Sequence, residues 1–441
     1  MANPAVLAKV NLWPIRCRIV NCRTIDGRML LKVGVVALLA AIGQPSHAEI
    51  LVAPSKISEE ALRLRNEAVM AAQARLGADL IKQLARGKKG DDNIVISPAS
   101  LASIFSFVEL GGSNAMRMAI HKTLGFAPAA KGRVSQDIKE LRSRVSATIA
   151  NSTKDSPTSL ANLLVFDPSI RPRQLALLGL SGAGADVMVD DLAKTETVGR
   201  VNQWVRQRTH DLIPSILEEA PATVGLVAIN ALYFKDKWKT PFDAVRTERA
   251  QFTPHSGNPV DVMMMHSSVA KFAFRETDRF IAAELGYASN DFKLVVVTTK
   301  SAPAEANEFA AVASWLQGGG FDSRNGEIAL PKLAVSVNEE MLGPLDKLGL
   351  RQARLASRSL RGFSAASLTI ARVVQKLELR VDEEGTEGAA ATAVIATRSI
   401  AKDQHLKMLV DKPFLFGLRD QRTGFILFMG YVGSPHKLAA K

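Results

Sequence analysis

The sequence predicts one large α+β domain, and three observations carry that expectation. Apolar positions recur at helical spacing early in the chain, whereas beyond Val224 they gather in strand-like runs. No segment repeats at a fixed period. No Pro/Gly/Ser stretch is long enough to link separate domains, so helices lead and strands trail within one unit. The composition is that of a globular protein: of 441 residues, 47% are apolar and 22% charged, which excludes disordered, collagen-like and low-complexity classes.

Residues 1–48 stand apart. Arg16, Arg18, Arg23, Arg28 and Lys32 precede an apolar run from Val33 to Ile42, and small residues Ser46 and Ala48 follow. Basic flank, short apolar core and small-residue end are the parts of a secretory signal, with cleavage expected after Ala48. A run this short does not reach the roughly 20 residues of a spanning helix. The alternatives are an uncleaved anchor or a core helix, and Met29 is a second candidate start. Both cysteines, Cys17 and Cys22, fall in this piece, so the mature chain has neither thiol nor disulfide. The segment holds six Lys/Arg against Asp26, and its loss lowers the net charge from +13 to +8. That balance is a weak argument for nucleic acid.

The elements follow in order. Ala61, Leu62, Val69, Ala72, Leu76, Leu80 and Leu84 mark a long amphipathic helix over 57–86, stopped by Gly87 and Gly90. Asn93 to Pro98 reads as a short strand entering a proline-started helix that continues from Leu101 to Leu110. Helices are expected at 116–124 and 198–208, and a strand from Ala161 to Phe166. Val224 to Phe234 reads as a long buried strand. Further strands are expected near Phe252, 263–265, 272–274, 281–285, 294–298, 328–333, 373–381, 414–418 and 425–432. Met263, Met264 and Met265 are read as strand positions facing both ways.

Enzyme templates fail. Gly179-Leu180-Ser181-Gly182-Ala183 lacks the second glycine of a nucleophile elbow. There is no phosphate-cradling glycine loop, dinucleotide fingerprint or His-Glu-x-x-His. The mature histidines (His121, His210, His255, His266, His405 and His436) show no paired ligand spacing. No metal and no cofactor is expected.

The segment 381–400 needs an explanation. From Gly385 to Thr397 it is made mostly of small residues and carries one charge, Glu387. Read with period two, Thr386, Gly388, Ala390, Thr392, Val394 and Ala396 share one face, and Glu387 falls on the other. A chain of this kind is able to become a strand under a crowded surface. An Ala-rich helical turn or an ordinary surface loop is the plainer alternative.

At these residues the sequence resembles the serpins, the conformational serine-protease inhibitors. Asp382-Glu383-Glu384-Gly385-Thr386-Glu387 followed by small residues is similar to the family's hinge. Asn93 to Pro98, Leu110-Gly111-Gly112, Thr123 to Phe126, and Val201 to Val205 resemble further family segments in the same order. Asn230 to Trp238 with Pro241-Phe242, Leu330-Pro331-Lys332, and Val410 to Phe416 extend the resemblance to about Pro435.

The resemblance implies a bacterial-type exported member. It would be a serpin-like single domain over 49–441, with N-terminal helices, a large antiparallel or mixed central sheet and an exposed reactive-centre loop at about 383–405. It implies no enzyme but a suicide-type inhibitor, secreted or periplasmic. Its loop would be cleaved as a pseudo-substrate, hold the protease covalently and insert into the central sheet. The hinge would be Glu383, Glu384, Gly385, Thr386, Glu387, Gly388, Ala389, Ala390, Ala391 and Thr392. Sheet opening would involve Ser97, Asn230, Trp238 and Gln375, the last in place of a common histidine. Gly388 stands where alanine is common, which adds flexibility.

Counting seventeen residues from Glu383 puts Ser399 before the scissile bond, so that Ser399-Ile400 is cut. A loop one residue shorter puts Arg398 there, so that Arg398-Ser399 is cut, which suits a trypsin-like pocket. With Ser399 the targets would be elastase-like or subtilisin-like. The other reading of the resemblance is a non-inhibitory serpin-fold binding protein. The expected partner is a target serine protease bound by a monomer, with neither nucleic acid nor membrane. Basic residues at 133–149 (Arg133, Lys139, Arg142, Arg144) raise a polyanion cofactor, though a solvated helix face explains them as well.

Overall fold

Two large sheets with one helix buried between them organise the residues described in the computed structural model, namely 59–126, 156–221, 224–386 and 405–435. The proposed signal at 1–48 and the basic stretch at 133–149 lie outside the described residues.

The helical region begins with α1 (Glu59–Ala85), β1 (Ile94–Ile96), α2 (Pro98–Gly111) and α3 (Asn114–Thr123). In α1 the residues Val69, Ala72, Leu76 and Leu80 are buried at three- and four-residue steps, the stripe of a helix lying on a core. Ser97 caps α2 by accepting from the Ser100 N–H, and Pro98 takes the first turn, where its missing N–H costs nothing. Along α2 every residue but Leu110 is buried, because the helix touches strands of both sheets. Then come β2 (Thr158–Phe166), α4 (Gln174–Gly182), β3 (Asp186–Val189), α5 (Thr195–Arg208), β4 (Leu226–Phe234) and β5 (Asp236–Lys237).

Strands dominate thereafter: β6 (Phe242–Phe252), β7 (Val260–Ser267), β8 (Ala270–Glu276), β9 (Phe280–Gly286), β10 (Phe292–Thr299), β11 (Asp322–Pro331) and β12 (Leu333–Glu340). The last are β13 (Ile370–Val381), β14 (Gly385–Thr386), β15 (Leu406–Leu409), β16 (Phe414–Asp420) and β17 (Ile426–Val432), with short helical turns over 306–317 and 342–355. Ten strands form one sheet, in the order β1-β17-β16-β10-β9-β8-β11-β7-β6 with β15 on β11. Seven form the second, β3-β2-β4-β13-β14-β5 with β12 on β13. This is the α+β architecture expected from the sequence.

Local departures have local causes. The single strand expected at 328–333 is two strands in different sheets. Pro331 has no N–H to continue the ladder, and the chain crosses between the sheets at Lys332, whose N–H donates to Met263 O at 2.9 Å. The strand expected from Val224 starts at Leu226. Gly225 has φ 147°, and a Cβ there would lie 2.8 Å from Thr369 O. Met263 faces out, while Met264 and Met265 are both buried.

Candidate functional site

Strands β4 and β13 lie side by side and parallel, paired from Ile370 opposite Leu226 to Glu378 opposite Tyr233. All of β4 is buried, since helices cover both faces of its sheet. Parallel neighbours of this kind have a particular capacity. A strand entering between them in the opposite sense replaces one parallel ladder by two antiparallel ones.

The chain that leaves β13 turns at once toward that seam. Asp382 makes the turn: its Oδ1 accepts from the N–H groups of Glu384 (3.0 Å) and Gly385 (3.1 Å), and its own N–H donates to Gly385 O. The chain then returns as β14, antiparallel to both neighbours. Thr386 pairs with Val381 of β13 on one side and with Asp236 of β5 on the other, while Gly385 pairs with Lys237. Because β5 prolongs β4, the hinge already occupies the upper end of the seam. Trp238 N–H donates to Glu384 O, Phe242 N–H to Glu383 O and the Trp238 indole to Asp382 O, at 2.8–2.9 Å.

Side chains fix the same place. Thr386 is fully buried, and its hydroxyl lies 2.8 Å from that of Tyr287. Tyr287 stacks on Trp238 with centroids 4.4 Å apart and packs edge-on against Phe234. Burial pushes the Tyr287 phenol far above its usual range, so it stays protonated. Glu383 is held by Lys332 Nζ and by the Thr247 hydroxyl, each at 2.8 Å. Burial raises this carboxyl, but those two partners outweigh burial and keep it below the ordinary carboxylate range. Gly385 is needed for close approach. A Cβ there would come within 2.7 Å of Lys237 Cα and closer still to Asp236 O.

Beneath the sheet, Gln375 clamps Ser97: its Oε1 accepts from Ser97 N at 3.0 Å and its Nε2 donates to Ser97 O at 3.1 Å. A neutral amide that accepts and donates thus ties β13 to the start of α2. Asn230 lies opposite Gln375 in register but does not reach Ser97; it donates to Asn162 Oδ1, and Asn162 donates to Ser103 of α2. The Asn230 Oδ1 is buried without a hydrogen-bond partner.

Over the other face lies α5. Val198, Val201 and Val205 pack on Val227, Ile229 and Val374, and so cover both strands of the seam. The segment after α5 is folded back by Asn202, whose Oδ1 accepts from Ile216 N and Leu217 N. Helix and segment together are fastened at both ends. Trp204 and Arg208 bond to Asp186 of β3, while Asn338 of β12 donates to Ile216 O at 3.1 Å.

Ser97, Gln375, Trp238, Glu383, Glu384, Gly385 and Thr386 therefore come together around one seam, with Asn230 bonded elsewhere. Glu387, Gly388, Ala389, Ala390, Ala391, Thr392, Arg398, Ser399 and Ile400 lie outside the described residues. Asp382 and Lys332 stand in segments that resemble the family but carry no role in the sequence reading, and Tyr287 and Asn338 are missed by it altogether. Among the described residues, no group of three His, Cys, Asp or Glu side chains is placed to hold a metal.

Comparison with known proteins gives a coherent picture. The model of a family described as Serpin (serine protease inhibitor) matches residues 71–435. Serpin A3-1 of cattle (Bos taurus) is 29% identical, with 81% of this chain and 86% of that protein covered. Leukocyte elastase inhibitor of the pig (Sus scrofa) is 27% identical, with 84% of this chain and all of that protein covered. Among solved structures, human thyroxine-binding globulin complexed with its hormone superposes with a TM-score of 0.73 at 21% identity, covering 84% of this chain and 99% of that one. These relatives are animal proteins and lend no support to a bacterial type.

Proposed function

The chain belongs to the serpin family, a family of serine protease inhibitors and not of enzymes, and from that membership we propose a suicide-type inhibitor whose loop at about 383–405 is cut as a pseudo-substrate. The protease serine oxygen forms an ester with the carbonyl carbon of the residue before the cut, and the new amino terminus leaves with the C-terminal piece. The freed loop then enters the seam between β4 and β13, carrying the esterified protease with it. One observation carries this reading: at the mouth of a parallel seam Thr386 is already paired on both sides, with Val381 and Asp236, and Gly385 with Lys237.

The energetics agree. Each inserted residue gains backbone hydrogen bonds worth about 1 kcal/mol net. About ten such residues would contribute on the order of a whole domain's ~5–15 kcal/mol of stability. The buried, unpartnered Asn230 Oδ1 adds a local cost to the closed sheet.

With Arg398 before the cut the target is trypsin-like; with Ser399 it is elastase-like or subtilisin-like. The segment 1–48 as a cleaved signal would send the domain 49–441 outside the cytoplasm, to meet proteases in a periplasm or outside the cell. Incubation with trypsin, elastase and subtilisin followed by a denaturing gel tests the proposal. An inhibitor gives a protease-sized upward shift with one of them, and mass spectrometry of the released fragment reads Ser399 or Ile400 as its first residue. A serpin-fold binding protein gives cleavage without a stable adduct.

A further inference from the structure

Three stretches contain no Asp or Glu: 110–126, 168–185 and 347–369. The fold brings all three to one surface. Ser113 N–H donates to Ser359 O at 2.7 Å, Gly362 N–H to Gly111 O at 2.9 Å, and Arg173 N–H to Phe363 O at 2.7 Å. The helix α3 packs on the helical turns of 342–355. Arg171, Arg173, Arg351, Arg358 and Arg361 are exposed here, and among the described residues none of their side chains has an ion-pair or hydrogen-bond partner.

Two features make this more than a solvated basic face. Arg171 and Arg358 sit at φ 47° and 61°, left-handed backbone that residues other than glycine seldom adopt. Exposed apolar side chains stand among the arginines: Leu175 is 84% exposed and Met118 72%, with Leu178 and Leu355 also exposed. A soluble polyanion would satisfy the guanidinium groups and leave those apolar groups in water. A surface that offers anionic headgroups above an acyl layer satisfies both.

We propose that this face docks on an anionic phospholipid surface, the arginines on phosphate and carboxylate headgroups and the leucines entering the acyl boundary. The contact proposed is peripheral, and no described helix is long and apolar enough to cross a membrane. It departs from the expectation, drawn from the sequence, of no membrane partner.

Sedimentation of the full chain with phosphatidylserine/phosphatidylcholine vesicles tests this, alongside pure phosphatidylcholine vesicles and soluble heparin. The expected result is partition onto the anionic vesicles alone, weakened about a hundredfold by Arg173→Ser/Arg351→Ser/Arg361→Ser. Leu175→Ser/Leu178→Ser weakens it about tenfold, with the melting temperature of both variants unchanged. Absence of wild-type partition, equal partition onto neutral vesicles, or heparin binding with no effect of the leucine substitutions would overturn the proposal.

Discussion

Thr386 and Tyr287 meet hydroxyl to hydroxyl at 2.8 Å, 99 residues apart in sequence and both fully buried. This bond joins the first inward-facing hinge residue to the aromatic cluster at the mouth of the seam. The hinge is thus docked rather than free. The contact sits where the proposed insertion would begin, which makes it a sensitive point for substitution.

Tyr287→Phe keeps the stack on Trp238 but leaves the buried Thr386 hydroxyl without its partner. The expected cost is about 1–3 kcal/mol, lowering the melting temperature of the uncleaved protein by roughly 1–4 °C. Calorimetry measures it, and an unchanged melting temperature would mean that the hinge is not docked in solution.

Thr386→Arg would force a long cation into a site with no exposed surface, walled by Tyr287 and β5. The variant is expected to be cleaved by the target yet to accumulate no covalent complex. Counting moles of inhibitor consumed per mole of protease inactivated checks this, and full inhibition would reject the inserted-strand mechanism.

At Gly385, alanine places a Cβ against the β5 backbone. Gly385→Ala should unseat β14, destabilising the intact protein by about 1–3 kcal/mol. Trp238 sits on this turn, so its fluorescence should report the displacement at neutral pH.

Acid should loosen the hinge through Glu383. Its carboxyl lies below the ordinary range because Lys332 and Thr247 outweigh burial, so the intact protein binds this proton less readily than the unfolded chain. Its stabilisation is complete above the unfolded value near 4.5 and is lost as the pH falls through the lowered folded value. Lys332→Met should already show the loss at pH 7 and flatten the acid limb of the melting-temperature profile below pH 5.

Helix α5 and the segment after it, which cover the seam, should slow its opening. Asn338→Ala removes the β12 fastening of Ile216 O while the Asp186 bonds at the other end remain. One hydrogen bond of about 1 kcal/mol corresponds to a roughly fivefold faster complex formation. Stopped-flow kinetics reads this, and a slower rate would show this cover to be productive rather than restraining.

Much of this architecture was legible from local pattern. Buried β4 announces itself as an apolar run and β13 as apolar residues interleaved with polar ones, and the start of α2 follows from Pro98 before an apolar stretch. Period-two alternation places Thr386 on the opposite face from Glu387 without saying which face turns inward, and in the structure Thr386 is buried. Missed features depend on distant partners or on two-residue elements. β14 is too short to show a period, and β12 merges with β11 in the apolar pattern unless Pro331 is taken as a break. Tyr287 gave one faint signal: the chain has only three tyrosines, and a buried phenol must find a partner. Nothing local in Asn338 or Lys332 marks what they fasten.

The central claim is that the intact protein is metastable and gains a strand once its loop is severed. Differential scanning calorimetry before and after a single cut between Thr397 and Ile400 tests it most directly. Insertion of about ten residues should raise the melting temperature by roughly 10 °C or more. An unchanged melting temperature in fully nicked protein would contradict the account.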